Sequence, residues 1–332
     1  MRENRLSGLE GGVALTRHPY PYRERRTVTV VAPIGSRLFR RLATGGGNSH
    51  CLAVAGRDTR SGMFQIHRVP SLDLPELAPY RTMRRPVDHV ARRIFIAEGL
   101  KVVRRLLESD FEVVSVVLLE QWLPDFEPLL AARKNLPVYI VPRAQLEQLV
   151  GFHMFQGALA VGRFPPPRAI QDILVEIPRP WLVVALENLA SAENLGVITR
   201  NCAAFGVHAL IAGETCSSPY MRRSVRNSMG GIFKLPIIES PSLFAALHEL
   251  RSLGVRCIAA DGAAKNLTLA HVDLRGDTCI VLGSEGHGLS DTIRGACDEV
   301  VSIPMANRVD SLNVGNAAAV FLYEAARQRG SM

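Results

Sequence analysis

The sequence has no apolar run long enough to cross a membrane. A spanning helix needs about 18 consecutive apolar residues, and stretches such as 182-LVVAL-186 are strand-sized. Six cysteines, at 51, 202, 216, 257, 279 and 297, include no CxxC pair. Their wide spacing suits neither a zinc ribbon nor a dense disulfide framework. No HxxxH or HExxH occurs, so no metal site is expected. GxGxxG, GxxxxGK[ST] and GxSxG are also missing. Their absence removes the dinucleotide fingerprint, the Walker-type phosphate cradle and the hydrolase elbow. What remains is 47% apolar and 21% charged, a globular composition able to bury a sizeable core. Five cysteines lie in apolar stretches, which reads as reduced core thiols of a cytoplasmic protein. At 332 residues, two domains are expected.

The net charge of +8 is unevenly placed. Residues 1–80 carry a net +6, residues 81–167 a net +3, and residues 168–332 a net −1. A basic front on a near-neutral back suggests a polyanion-binding part joined to a working part. A solubilising surface explains the charge equally well.

Residues 1–80 show little periodicity and read as a basic extension, although 27-TVTVV-31 has strand character. Glu3, Glu10 and Glu24 argue against a transit peptide, which would be poor in acids, and Met83 is an alternative start. From residue 81 to 163 the pattern sharpens into a small α/β domain. It has strands near 93–98, 113–119, 137–142 and 157–164, and helices near 100–109, 126–133 and 144–150. The run 164-FPPPR-168 reads as a linker, because proline suits neither a helix interior nor a central strand. Residues 169–330 then alternate helices with six continuous apolar strands, at 181–186, 208–212, 234–238, 255–260, 278–282 and 299–303. Uninterrupted apolar strands indicate a parallel sheet buried on both faces, hence a doubly wound α/β domain.

Three strands of this back domain run into polar or glycine-rich loops: 187-ENLASAEN-194, 283-GSEGHGLS-290 and 304-PMANRVDSLN-313. In a parallel sheet such loops gather at the carboxyl edge, where open α/β sheets bind ligands. The first leads into a helix with Leu195, Ile198, Cys202 and Phe205 as its buried stripe, Gly206 at its end and Arg200 off the stripe. The glycines at 283, 286 and 288 let a ligand approach the backbone. Ser311 or Asn313 caps the final helix, though capping does not explain Asp310, Ser311 and Asn313 together.

These residues resemble the SpoU (TrmH-type) RNA 2′-O-ribose methyltransferases of the SPOUT superfamily. The segment 187-ENLASAENLGVITRNCAAFGVHALI-211 matches the first family motif, 280-IVLGSEGHGLS-290 the second and 303-IPMANRVDSLNVGNAAAVFLYEAAR-327 the third. The stretch 217-SSPYMRRSVRNSMGGIFKLPI-237 is similar too, and 93–163 resembles the ribosomal-protein-like substrate-binding domain that precedes such enzymes.

The resemblance implies a C-terminal SPOUT domain, a parallel sheet closed by a trefoil knot, which periodicity does not reveal. It implies S-adenosyl-L-methionine held near Leu282, Gly283, Ser284, Gly288, Ile303, Met305, Leu312 and Asn313. It implies a homodimer acting on RNA, ribosomal RNA ahead of transfer RNA, with no membrane and no metal. Catalytic roles transfer to Asn194, Arg200, Glu285, Ser311 and Asn313. Arg200 is expected to bind phosphate and stabilise developing alkoxide charge, because a guanidinium stays protonated. Arg222, Arg223 and Arg226 are candidate RNA-phosphate contacts. A non-catalytic RNA-binding or assembly factor on the same scaffold is the competing reading, and five intact motif residues weigh against it.

Overall fold

A computed structural model describes residues 57–58, 64–150, 157–262, 264, 267–284, 286–307 and 309–330. All of them belong to one compact unit spanning Ala53–Met332. The strand character of 27–31 and the candidate Glu285 lie outside the described residues.

The front part contains β1 (Arg57–Asp58), β2 (Gln65–Arg68), α1 (Ala78–Arg81), α2 (Pro86–Ala91), β3 (Ile94–Glu98), α3 (Leu100–Leu107), β4 (Val113–Leu118), α4 (Leu123–Ala131), β5 (Pro137–Ile140), α5 (Arg143–Val150) and β6 (Ala158–Arg163). The strands form one sheet in the order β1-β2-β5-β4-β6-β3. β2, β5 and β4 run parallel, while β6 pairs antiparallel with both β4 and β3.

The expected domain boundary at residue 81 is corrected here. β2 pairs with β5 from Gln65↔Pro137 to Arg68↔Ile140, and Leu77, Tyr80 and Met83 lie in the core on one face of the sheet. Tyr80 is fully buried, and its hydroxyl shares a 2.8 Å hydrogen bond with Ser115 of β4. Residues from at least Phe64 onward are thus part of the domain, and a chain beginning at Met83 would lack an interior strand and a core tyrosine.

The back part contains α6 (Ile170–Leu174), β7 (Leu182–Leu186), α7 (Ala192–Ala204), β8 (Ala209–Ala212), α8 (Arg222–Asn227), β9 (Ile237–Glu239), α9 (Leu243–Ser252), β10 (Arg256–Ala260), β11 (Thr278–Leu282), α10 (Asp291–Ala296), β12 (Glu299–Val301) and α11 (Val314–Gln328). Its six strands are all parallel, in the order β12-β10-β11-β7-β8-β9. Every residue of β7 and β11 is buried. Alternate side chains feed a core against α7 and α11 on one face and a core against α6, α9 and α10 on the other. The doubly wound reading therefore holds. β9 starts later than the expected 234, because Gly231–Phe233 forms a 3-10 turn.

The run 164–168 does join β6 to α6 without helix or strand, but the parts it connects pack against each other. Phe164 is buried, with its ring 4.4 Å from Tyr220, and Phe95 of β3 stacks on Phe233 at 5.8 Å. Tyr220, Val225, Ile232 and Phe233, all from the back segment, complete the core of the front sheet. Aromatic side chains bury large areas, so the two sheets share a packed seam.

Candidate active site

The carboxyl ends of β10, β11 and β12 meet in a pocket of about 340 Å³. Leu282, Gly283, Ser284, Gly288, Ile303, Met305, Leu312 and Ser311 all line it. Seven of the eight residues expected near the cofactor are thus brought together, with Ser311 beside them. Val314, Ala317 and Phe321 of α11 add an apolar wall.

Backbone chemistry shapes the glycine loop. Ser284 N–H donates to the Gly288 carbonyl at 3.1 Å, and Gly288 N–H returns a 2.9 Å bond to the Ser284 carbonyl. Gly288 has φ +66°, which L side chains rarely adopt. Gly283 sits so close beneath it that a Cβ there would lie 2.3 Å from the Gly288 carbonyl. Glu187, at the end of β7, ties this loop to the first motif. Its carboxylate accepts from Ser290 N–H at 2.7 Å and from Ser290 Oγ at 2.6 Å. Ser290 Oγ in turn caps α10 by accepting from Ile293 N–H.

The first and third motifs meet through asparagines. Ser191 caps α7, accepting from Asn194 N–H at 3.2 Å. Asn194 Oδ1 then accepts from Asn313 Nδ2 at 3.3 Å. Asn313 Oδ1 accepts from Gly315 N–H at 2.9 Å, so Asn313 is the cap of α11. Of the two expected caps, Ser311 is left facing the pocket. Asn313 is the exception among the expected cofactor contacts: its side chain serves the cap and Asn194 and does not line the pocket. Asn201 Nδ2 adds a 2.9 Å bond to the Gly315 carbonyl, holding α7 against α11.

Arg200 lies on the exposed face of α7 and has no hydrogen bond or ion pair among the described residues. It does not line the pocket of its own chain.

A cleft of about 930 Å³ opens between the front sheet and α8, lined by Met83, Arg84, Glu98, Glu193, Arg222, Arg223 and Arg226 among others. The RNA assignments are revised here. Arg222 pairs with Glu98, which is almost wholly buried, and Arg226 Nη1 reaches the other oxygen of Glu98 at 3.0 Å. Arg222 is therefore committed to an internal carboxylate that joins the two sheets. Arg223 is exposed, 3.0 Å from the equally exposed Glu193, a pair that water and salt screen easily.

Burial pushes the thiols of Cys202, Cys216 and Cys279 up, and that of Cys297 up to about 12, which disfavours the thiolate at these four positions. Among the described residues, no group of three or more His, Cys, Asp or Glu is placed to hold a metal ion.

Sequence reasoning singled out Asp310 but gave no role to Glu187, Asp261, His287 or Arg294 in this region. Glu187, His287 and Asp310 lie within the three quoted loops and were legible there. Asp261 and Arg294 lie outside them and carry no local pattern.

The model of the SpoU rRNA Methylase family matches residues 181–323. A second model, for RNA 2′-O ribose methyltransferase substrate binding, matches residues 96–167. An uncharacterized tRNA/rRNA methyltransferase of Mycobacterium avium is 39% identical over 202 residues, 60% of this chain and 65% of that protein. The match thus spans just under two thirds of that relative. One from Mycobacterium leprae is 35% identical over 246 residues, covering 72% of each chain. The crystal structure of an AdoMet-bound rRNA methyltransferase from Sinorhizobium meliloti is 25% identical with a TM-score of 0.70, covering 79% of this chain and 98% of that one.

Proposed function

The chain belongs to the SpoU methylase family, and from that premise we propose that it transfers a methyl group from S-adenosylmethionine to a ribose 2′-hydroxyl of RNA, with ribosomal RNA as the leading substrate. One observation carries the reading: the glycine loop, the Ile303–Met305 segment and the Ser311–Leu312 turn converge on a single pocket. The asparagine pair fixes the start of α7 beside it.

The pocket fits the cofactor chemically. Leu282, Ile303, Leu312 and Phe321 suit a flat heteroaromatic ring, and backbone donors of the glycine loop suit its polar edge. When bound, S-adenosylmethionine supplies an electrophilic methyl on a sulfonium. The residues of this chain do the rest. Gly283 and Gly288 shape the loop, Glu187 holds it through Ser290, and Asn194 and Asn313 lock the first motif to the third. The Arg200 guanidinium stabilises the charge that grows on the ribose oxygen, while binding the neighbouring phosphate. By the family resemblance, Glu285 would help Asn194 orient Arg200 and the ribose.

The exposed position of Arg200, outside its own pocket, supports a site completed by a second copy of the chain. Asn316, Val320 and Tyr323, spaced as one face of α11, are exposed and suit such a contact. We take the knot to follow from the family. Arg223, Arg226 and Arg84 make the wide cleft a phosphate-binding surface.

The test is transfer of labelled methyl from S-adenosylmethionine to unmodified RNA separated into ribosomal and transfer fractions. Label in the ribosomal fraction that resists alkaline cleavage is the expected outcome. Label in the transfer fraction would change the substrate. Cofactor binding without transfer to either would favour the assembly-factor reading.

A further inference from the structure

The wide cleft between the front sheet and α8 has more in it than a phosphate track requires. Four arginines line it against two glutamates, so its field is net positive. Apolar side chains enter from both walls as well. Met83 and Pro86 come from the front part, and Ala190, Ala192 and Met221 from the back. Phosphate gains nothing from such groups, whereas the flat face of a nucleobase does.

The walls are held at a fixed width. Glu98, 2% exposed at the carboxyl end of β3, pairs with Arg222 of α8 and so ties one wall to the other. The loop before α7 is braced too. Ser217 Oγ donates to the Ala190 carbonyl at 2.6 Å, and Ser217 N–H to the Leu189 carbonyl at 2.9 Å. At about 930 Å³ the cleft matches the upper end of small-ligand pockets, which span about 300–1,000 Å³. That volume suits a few nucleotides. A duplex keeps its bases stacked inside and can offer such a slot only its backbone. Glu193, in the cleft wall, is followed by Asn194, whose Oδ1 accepts from Asn313 Nδ2 at 3.3 Å. The cleft therefore borders the place where the first motif meets the third.

We propose that the cleft is a subsite for unpaired nucleotides. At least one base of the RNA leaves its stack and enters between Met221 and the Met83–Pro86 wall, while the neighbouring phosphates stay in the field of the arginines. This rests on the reading of the cleft as an RNA surface. Methionine adapts its shape to an aromatic face and contacts it favourably, and guanidinium planes stack on splayed bases. A slot already braced at this width needs no opening to receive a base. The subsite thus selects loops, bulges and single strands over continuous helix, and its walls do not touch the transferred methyl.

The experiment is fluorescence anisotropy of the full chain with three RNA probes: a dodecauridylate, the same phosphate chain with abasic riboses, and an RNA duplex of the same length. The duplex carries twice the phosphates, so charge alone would rank it first. The expected order is the reverse, with dodecauridylate bound at least ~5-fold more tightly than either, the low end of one base stacked on a protein surface. Met221→Ala should shrink that advantage to within about twofold and leave the other two probes at their wild-type affinities. An abasic chain or a duplex bound as tightly as dodecauridylate overturns the subsite. So does a variant that keeps the full advantage, which would place the base contact elsewhere. Should Met221→Ala fail to fold, Pro86→Ser on the other wall decides by the same ratio, since that residue is exposed. A chain that binds none of the three probes refutes the RNA reading of the cleft itself, a different failure from loss of the preference.

Discussion

Replacing Gly283 with alanine should cost the protein its cofactor loop while leaving the sheet beneath intact. A Cβ at 283 would lie 2.3 Å from both the carbonyl carbon and the oxygen of Gly288, and 2.5 Å from Leu289 N. These are backbone atoms, locked by the reciprocal bonds between Ser284 and Gly288, so no side chain can swing aside. Carbon atoms in good contact stand about 3.5–4.0 Å apart, and an overlap of this size forces the turn open. Overpacking of this kind costs about 1–3 kcal/mol, equivalent to a roughly 5- to 150-fold loss of affinity where binding needs the closed loop. The neighbouring glycines supply internal controls. Gly288→Ala meets nothing within 4 Å but must hold φ +66°, a cost of about 1–2 kcal/mol. Gly286→Ala meets nothing and has no such φ, so its effect should stay within about 0.5 kcal/mol. Calorimetric affinities for S-adenosylhomocysteine, with circular-dichroism melts alongside, should rank the losses 283, then 288, then 286. Parental affinity in Gly283→Ala, or an equal loss in Gly286→Ala, would refute the argument from geometry.

Arg200→Ala should reduce methyl transfer by about 100-fold or more, the scale of a lost electrostatic donor. Melting temperature and cofactor affinity should not change, because the side chain is exposed and unbonded among the described residues; transfer at the parental rate would remove it from the mechanism. Glu98→Gln should destabilise the chain by about 2 kcal/mol, less than the 3–5 kcal/mol of a fully buried pair, since Arg226 is half exposed. An unchanged urea midpoint would show that the seam does not depend on this carboxylate. Stability should also fall on acidification below about pH 6.5. Burial and the nearby Arg329 charge hold the His208 pKa below its ordinary 6.5, and His208 Nδ1 accepts from Leu182 N–H at 2.9 Å. The unfolded chain then binds the proton first, and stability is lost as pH drops from that value. His208→Asn, which keeps an acceptor, should flatten the melting-temperature profile between pH 7.5 and 5.5; a profile as steep as the parental one would assign the effect elsewhere.

The back domain was legible because its signals are local. Continuous apolar runs announce strands covered on both faces, and each motif loop directly follows such a strand, so their convergence follows from parallel topology alone. The cap of α11 was readable at Asn313 for the same reason, whereas Ser191, which caps α7, was not singled out. Residues 64–80 gave no such signal. β2 is four residues long, and the turn at Pro75–Leu77 interrupts any period, yet Leu77 and Tyr80 are fully buried. The burial of such short elements is decided by the sheet they join and not by their own pattern.

Charged residues show the same limit more sharply. In sequence, Arg222, Arg223 and Arg226 are a basic run on a short helix, and equal roles are the natural reading. Folding separates them. Arg222 turns to a carboxylate 124 residues away, Arg226 shares that carboxylate while staying half exposed, and Arg223 stays at the surface. A buried Glu98 without both partners would be costly, so the pair joins the seam between the sheets to the position of α8, which packs on α7. A change that loosens the front sheet should therefore disturb the helix that carries Arg200. Removing residues 81–163 to isolate the methyltransferase domain would strip cover from Tyr220, Val225, Ile232 and Phe233. That truncation would report on folding before it reported on RNA. The division of labour between the two parts is better tested by Arg223→Glu, an exposed site on the cleft. RNA affinity should drop with a shallower salt dependence, while cofactor affinity and melting temperature stay at the parental values. An unchanged RNA affinity would take Arg223 out of the binding surface.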